Sequence, residues 1–166
     1  SEFITPPVVR RCYPNFLELT FSPFEGLEVT YEIRVPDSNT IAGRVTVFNR
    51  SPERRKPRLE MCAALVPLDG HAFSLTQMQM VNVLVGQTSG LVPLLFMTGG
   101  PLPGPGPQPS LMVDLDLDPG AFRQLTWSHA ATAEHQTAFD TARLVAAQAW
   151  DAERARIELV NAGQTI

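Results

Sequence analysis

Cysteine is scarce in this chain: 166 residues contain two, Cys12 and Cys62. That is too few for a disulfide scaffold, and the two form no CxxC pair. Two buried free thiols are expected, with a reducing, cytoplasmic compartment as the corollary. Positive charge is also short, since 13 basic and 17 acidic residues leave a net charge of -4. Phosphate backbones and anionic lipid favour basic surfaces, so neither nucleic acid nor membrane is an expected partner. The local basic run, Arg54, Arg55, Lys56 and Arg58, lies beside Ser51-Pro52 and Pro57 and reads as a solvated hairpin loop. No apolar run approaches the ~20 residues of a membrane span, and no secretory signal opens the chain.

Motifs that carry chemistry are equally thin. His71, His129 and His135 are scattered without metal-ligand spacing, so no metal or cofactor is expected. Asp114, Asp116 and Asp118 form a DxDxD string, but Leu115, Leu117 and Pro119 stand where a calcium loop needs polar residues and a glycine. The three carboxylates read instead as the wet face of a strand. Gly86 to Gly90 fails the GxSxG order because Thr88 holds the central place, which leaves a hairpin turn. Prolines at 101, 103, 105, 107 and 109 are evenly spaced and contain no PxxP core, so they read as loop. No paired acid and base stands at a recognisable site, and no catalytic residue is assigned.

What the chain does have is apolar alternation. Hydrophobic residues make up 44% and charged residues 18%, a balance that suits a packed core. The length fits one domain with an appendage. Phe16 to Phe21, among the prolines of residues 1 to 26, reads as a short edge strand. From Leu27 to Val35 the odd residues are apolar and Glu28, Thr30, Glu32 and Arg34 are polar, which predicts a half-buried strand. A turn at Pro36-Asp37-Ser38-Asn39 and a return through Val45 and Val47 complete a hairpin. Leu59 to Leu68 is nearly continuous in apolar residues, as for a strand covered on both faces. Phe73 to Val85 has mixed polarity, and Leu91 to Met97 carries Pro93, which points to an edge or a bulge. Leu111 to Leu117 alternates again, and Phe122 to Ala130 supplies a last strand. The fold class expected is mainly β: an antiparallel β-sandwich over residues 1–130, followed by one long C-terminal α-helix within 131–166.

That helix, within Thr132 to Gly163, is rich in Ala, Leu, Gln, Glu and Arg, lacks proline and has Gly163 as a stop. Its charges pair three or four apart: Asp140 with Arg143, Asp151 with Arg154, Glu153 with Arg156, Arg154 with Glu158. A stripe of Phe139, Ala142, Ala146, Ala149 or Trp150, Ile157 and Val160 follows one side. A helix of roughly 40 Å exceeds the roughly 30 Å diameter of such a sandwich. Part of the stripe is therefore expected to meet another domain, which makes Phe139, Trp150, Ile157 and Val160 the candidate docking residues.

The order of parts, a sandwich and then an Ala-rich helix carrying Trp150-Asp151-Ala152-Glu153-Arg154-Ala155-Arg156-Ile157-Glu158-Leu159 and Asn161-Ala162-Gly163-Gln164, resembles a known arrangement. It is similar to the supersandwich-like N-terminal domain and linker helix that precede an (α/α)6-barrel in bacterial glycoside hydrolases of the glucoamylase and glycogen-debranching type. The resemblance spans the chain in architecture and the helix in local sequence. It implies a non-catalytic accessory domain whose partner is a downstream catalytic domain of the same polypeptide, with the catalytic carboxylates in that barrel. Two alternatives stay open: a carbohydrate-binding module that stacks sugar on Trp127, and an immunoglobulin-like interaction domain.

Overall fold

Strand alternation is realised as two sheets of very different size. In the computed structural model, residues 3–162 are described. Their strands are β1 (Thr5–Tyr13), β2 (Phe16–Ser22), β3 (Leu27–Asp37), β4 (Thr40–Asn49), β5 (Arg58–Cys62), β6 (His71–Met78), β7 (Val81–Gln87), β8 (Val92–Met97), β9 (Leu102–Pro103), β10 (Ser110–Asp114) and β11 (Phe122–Thr132). Two helices follow, α1 (His135–Ala146) and α2 (Trp150–Ala162). The large sheet runs β1-β2-β3-β4-β11-β8-β7-β6 and the small one β5-β10-β9, with antiparallel pairing throughout.

Because side chains alternate along a strand, each face of the large sheet builds its own core. Leu27, Val29, Val45, Val47, Leu95, Met97, Leu125 and Trp127 point towards the small sheet and pack with Leu111, Val113, Leu115 and Leu117. On the opposite face Val83, Val85, Val92, Leu94, Phe96 and Ala130 receive Ala138, Phe139, Ala142 and Ala146 of α1. The molecule is thus a sandwich with a third, helical layer. Mainly β with antiparallel sheets is the fold expected from the sequence.

The helical layer corrects the expectation of one long helix. The helix breaks at Ala147, Gln148 and Ala149, although none of these is a helix breaker. The cause is tertiary, for the last carbonyls of α1 accept hydrogen bonds from side chains of the sheet. Ser128 Oγ donates to the Ala142 carbonyl, Thr126 Oγ1 to Ala146 (2.8 Å) and an Arg34 Nη2 to Val145 (3.3 Å). Arg34 also binds the Gln148 side chain. The chain turns there and α2 proceeds over β3 and β4. All four helical ion pairs expected from spacing are present, at 3.0 to 4.0 Å. Gly163, the expected stop, lies outside the described residues.

Other strand expectations also change. Glu28, Thr30, Glu32 and Arg34 were to face water, but helices cover this side and leave Glu32 and Arg34 only 1% and 2% exposed. The short edge strand is a hairpin, in which β1 forms the sheet edge and β2 lies inside it. The run Leu59 to Leu68 yields only the short β5, with Val66 and Leu68 both 91% exposed. Phe73 to Val85 splits into β6 and β7 at Gln79-Met80, both with positive φ (47° and 65°), as in a two-residue hairpin turn. Strand β8, with Pro93, lies between β11 and β7 rather than at an edge. Pro93 falls beyond the Val85–Leu94 pair, where the ladder to β7 gives way to the turn closed by Thr88 and Leu91. The basic loop is a crossover from β4 to β5, which do not pair, and is no hairpin. Cys12 and Cys62 are free but exposed, which corrects the expected burial: one lies on the edge strand, the other at the end of β5.

Candidate functional site

The size mismatch between the sheets creates a broad concavity. Three strands cannot cover eight, so the inner faces of β2, β3 and β4 meet the small sheet across an open cleft of about 520 Å³. Its floor is Phe21, Leu27, Val29, Tyr31, Val45 and Val47, and its lip is Leu59, Met61 and Cys62 of β5. A second hollow of about 340 Å³ continues from Tyr31, Met61 and Cys62 to Phe73, Trp127 and His129. Burial pushes the Tyr31 hydroxyl pKa up and holds that of His129 below its usual value. Phe73 sets its ring edge-on to His129 at 5.9 Å.

Trp127, the sugar platform of the alternative carbohydrate-binding reading, lies at the inner end of this groove. Only 9% of it is exposed, its ring stacks on Tyr31 (centroids 6.3 Å apart, 26° between planes), and its indole lies flat over Gly43. A Cβ at Gly43 would stand 2.3 Å from the indole nitrogen, so only glycine leaves room for the ring at this place. Among the described residues the groove wall offers a single carboxylate, Glu60, which accepts a hydrogen bond from Ser110 Oγ (2.5 Å). Glycoside hydrolysis needs two carboxyl groups flanking one bond, and this apolar groove does not place them.

The three acids of the DxDxD string are engaged elsewhere. Arg58 pairs with Asp114 at 2.9 Å and Arg54 with Asp116 and Asp118 at 2.5 and 3.6 Å. The Arg54 hydrogen bond holds the Asp116 carboxyl below its usual range. The DxDxD string is therefore the acidic half of a solvent-facing ladder whose basic half is the crossover loop. Asn49, fully buried, organises that loop. Its Nδ2 donates to the Glu53 and Leu117 carbonyls at 2.7 and 2.9 Å, and its Oδ1 accepts from the backbone N–H of Ser51. Among the described residues, no three His, Cys, Asp or Glu side chains group as metal ligands. No described helix is long and apolar enough to cross a membrane.

The four expected docking residues have different fates. Phe139 is fully buried, edge-on to Phe96 at 6.0 Å. Trp150 and Ile157 are buried in a small cluster with Phe16, Ala42 and Val145. These three contact this chain's own sheet. Val160 is 53% exposed beside Leu159 at 76%, and this end of α2 faces outwards.

Sequence reasoning missed the cluster on which α2 rests. Glu32 of β3 receives Arg44 of β4 through two hydrogen bonds, at 2.6 and 3.1 Å, and Arg154 of α2 at 3.1 Å. Arg44 reaches Asp151 at 3.0 Å and Arg34 reaches Glu153 at 3.6 Å. The Trp150 ring lies under both guanidiniums, 5.1 Å from Arg34 and 5.7 Å from Arg44, a cation–π arrangement. The signal available was Glu32 and Arg44 on equivalent faces of paired strands, but only a helix laid across them turns wet-face charges into buried ones.

No protein-family model and no curated protein matches the sequence. Solved structures do. A protein described as a kojibiose phosphorylase from the human microbiome superposes with a TM-score of 0.56 at 9% identity, over 88% of this chain. A polysaccharide lyase superposes with a TM-score of 0.55 at 12% identity, over 79% of this chain. The likeness is one of fold. The chain spans only about a quarter of either protein, 23% of the first and 24% of the second. Both neighbours are carbohydrate-active enzymes much longer than this chain.

Proposed function

We propose that this chain is a non-catalytic accessory domain at the N-terminal side of a larger carbohydrate-active enzyme of the glycoside hydrolase kind, where it packs on and positions a catalytic barrel. The observation that carries the reading is the asymmetry of the structural match, in which 88% of this chain corresponds to 23% of an enzyme. Two features of the chain support it. Its groove is apolar and, among the described residues, holds one carboxylate rather than two. The outer end of α2 leaves Leu159 and Val160 in water, apolar surface of the kind that interfaces between domains cover. In this reading the partner is the downstream catalytic domain, met by the Leu159–Val160 end of α2, while Phe139, Trp150 and Ile157 fix the helices from which that contact is presented.

The test is twofold. Residues 1–166 alone should turn over no disaccharide or polysaccharide substrate, and turnover by this piece would overturn the non-catalytic reading. The reading frame beyond residue 166 should encode a helical domain with two well-placed carboxylates. A stop codon at that point would end the proposal.

A further inference from the structure

The two helices are held by different physics. Helix α1 buries Ala138, Phe139, Ala142, Val145 and Ala146, an apolar stripe whose exposure would be costly. Helix α2 buries Trp150 and Ile157, and beside them it meets the sheet through ion pairs. Asp151 meets Arg44, Glu153 meets Arg34, Arg154 meets Glu32, and Glu158 meets Arg11 of β1. On the α2 side these groups keep contact with water: Asp151 is 72% exposed, and Glu153, Arg154 and Glu158 are 28–36% exposed. Their sheet-side partners Glu32, Arg34 and Arg44 are only 1–8% exposed, so salt reaches those pairs from the α2 side alone, while the Arg11–Glu158 pair lies open to it. The surface beneath is suited to being uncovered, since Glu32 and Arg44 remain bonded to each other without α2. The connection, Ala147-Gln148-Ala149, is exposed and non-helical.

We propose that α2 is a detachable arm, latched to β3 and β4 by ion pairs and by Trp150 under two guanidiniums, and that it pivots at Ala147-Gln148-Ala149 while the sandwich and α1 stay folded. The device is a salt-sensitive joint. It follows from the contacts of α2 with its own sheet and holds whatever the larger protein does.

Amide hydrogen exchange on the whole chain tests it. A 13-residue helix released from its support is marginal in water, so each detachment exposes its amides. Between 20 mM and 1 M NaCl, exchange across 151–162 should rise about threefold or more, as the open Arg11–Glu158 pair and the half-covered pairs weaken together. Exchange in α1 and in β4 and β11 should hardly change. Sucrose at equal osmolality should leave α2 at its low-salt rate. The proposal fails if α2 stays as protected as α1 at 1 M NaCl, if both helices open together at one rate, or if sucrose acts like salt.

Discussion

Replacing Gly43 by alanine should lower the melting temperature by about 2–12 °C, although alanine ordinarily suits a strand better than glycine. Gly43 shows no positive φ, so the backbone accepts an L-residue and the cost is entirely one of space. The new methyl would stand 2.3 Å from Nε1, 2.4 Å from Cε2 and 2.6 Å from Cζ2 of Trp127, where ordinary carbon contacts lie near ~3.5–4 Å. The indole must move by about 1 Å or more. Tyr31 stacks on one side of it, and Gly43 and Met97 are its register partners on the flanking strands. Overpacking of this kind costs about 1–3 kcal/mol, and each kcal/mol is worth about 2–4 °C for a chain of this size. Thermal melts by circular dichroism read the effect. In a Trp127→Leu background the ring is gone and Gly43→Ala should become neutral or slightly stabilising, a coupling above ~1 kcal/mol. A Gly43→Ala protein that melts within a degree of the parent, or an equal loss in both backgrounds, would refute the packing argument.

Glu32→Ala should cost about 3–5 kcal/mol in urea unfolding, because Arg44 is left buried and loses its bidentate partner. Phe139→Ala should cost a similar ~3–5 kcal/mol, whereas Val160→Asp should stay within ~0.5 kcal/mol in this chain; comparable losses at both would show that the end of α2 is buried after all. Burial depresses the pKa of folded His129, so on acidification the unfolded chain takes up its proton first. The His129 contribution to stability is complete above the ordinary value of 6.5 and is lost as pH falls from there through the depressed value. His129→Gln should accordingly shrink the difference in melting temperature between pH 7.5 and pH 5, as read by scanning calorimetry.

The inner face of the sandwich was legible in the sequence because two-residue periodicity is a local property: Leu27, Val29, Val45 and Val47 all point to the core that the alternation assigns. What covers the other face is not local. Glu32 and Arg34 look like surface residues until α2 lies over them, and their burial depends on partners 119 to 122 residues away. The break at Ala147-Gln148-Ala149 is invisible for the same reason, since sheet side chains end α1 where helix propensity would continue it. Apolarity misled where it was read without neighbours. Val66 and Leu68 belong to an apolar run, yet no strand forms there and both side chains lie in water. Of the residues proposed for function, sequence pattern found the helical stripe and missed that its first three members are already occupied by the sheet.

The bonds from β11 to the end of α1 have a further consequence. Moving two residues along a strand covers about 6.7 Å, and moving four along a helix covers about 6 Å. Ser128 and Thr126 are two apart, and the carbonyls they reach, Ala142 and Ala146, are four apart. The strand and the helix therefore share a common pitch and mesh as a rack does with a gear. Sliding α1 by one residue breaks both bonds at once and turns Phe139 about 100° off its seat. Insertions and deletions should therefore be excluded from α1 and better tolerated in the three residues after it, where Arg34 holds the Gln148 side chain but no pair of contacts fixes the register.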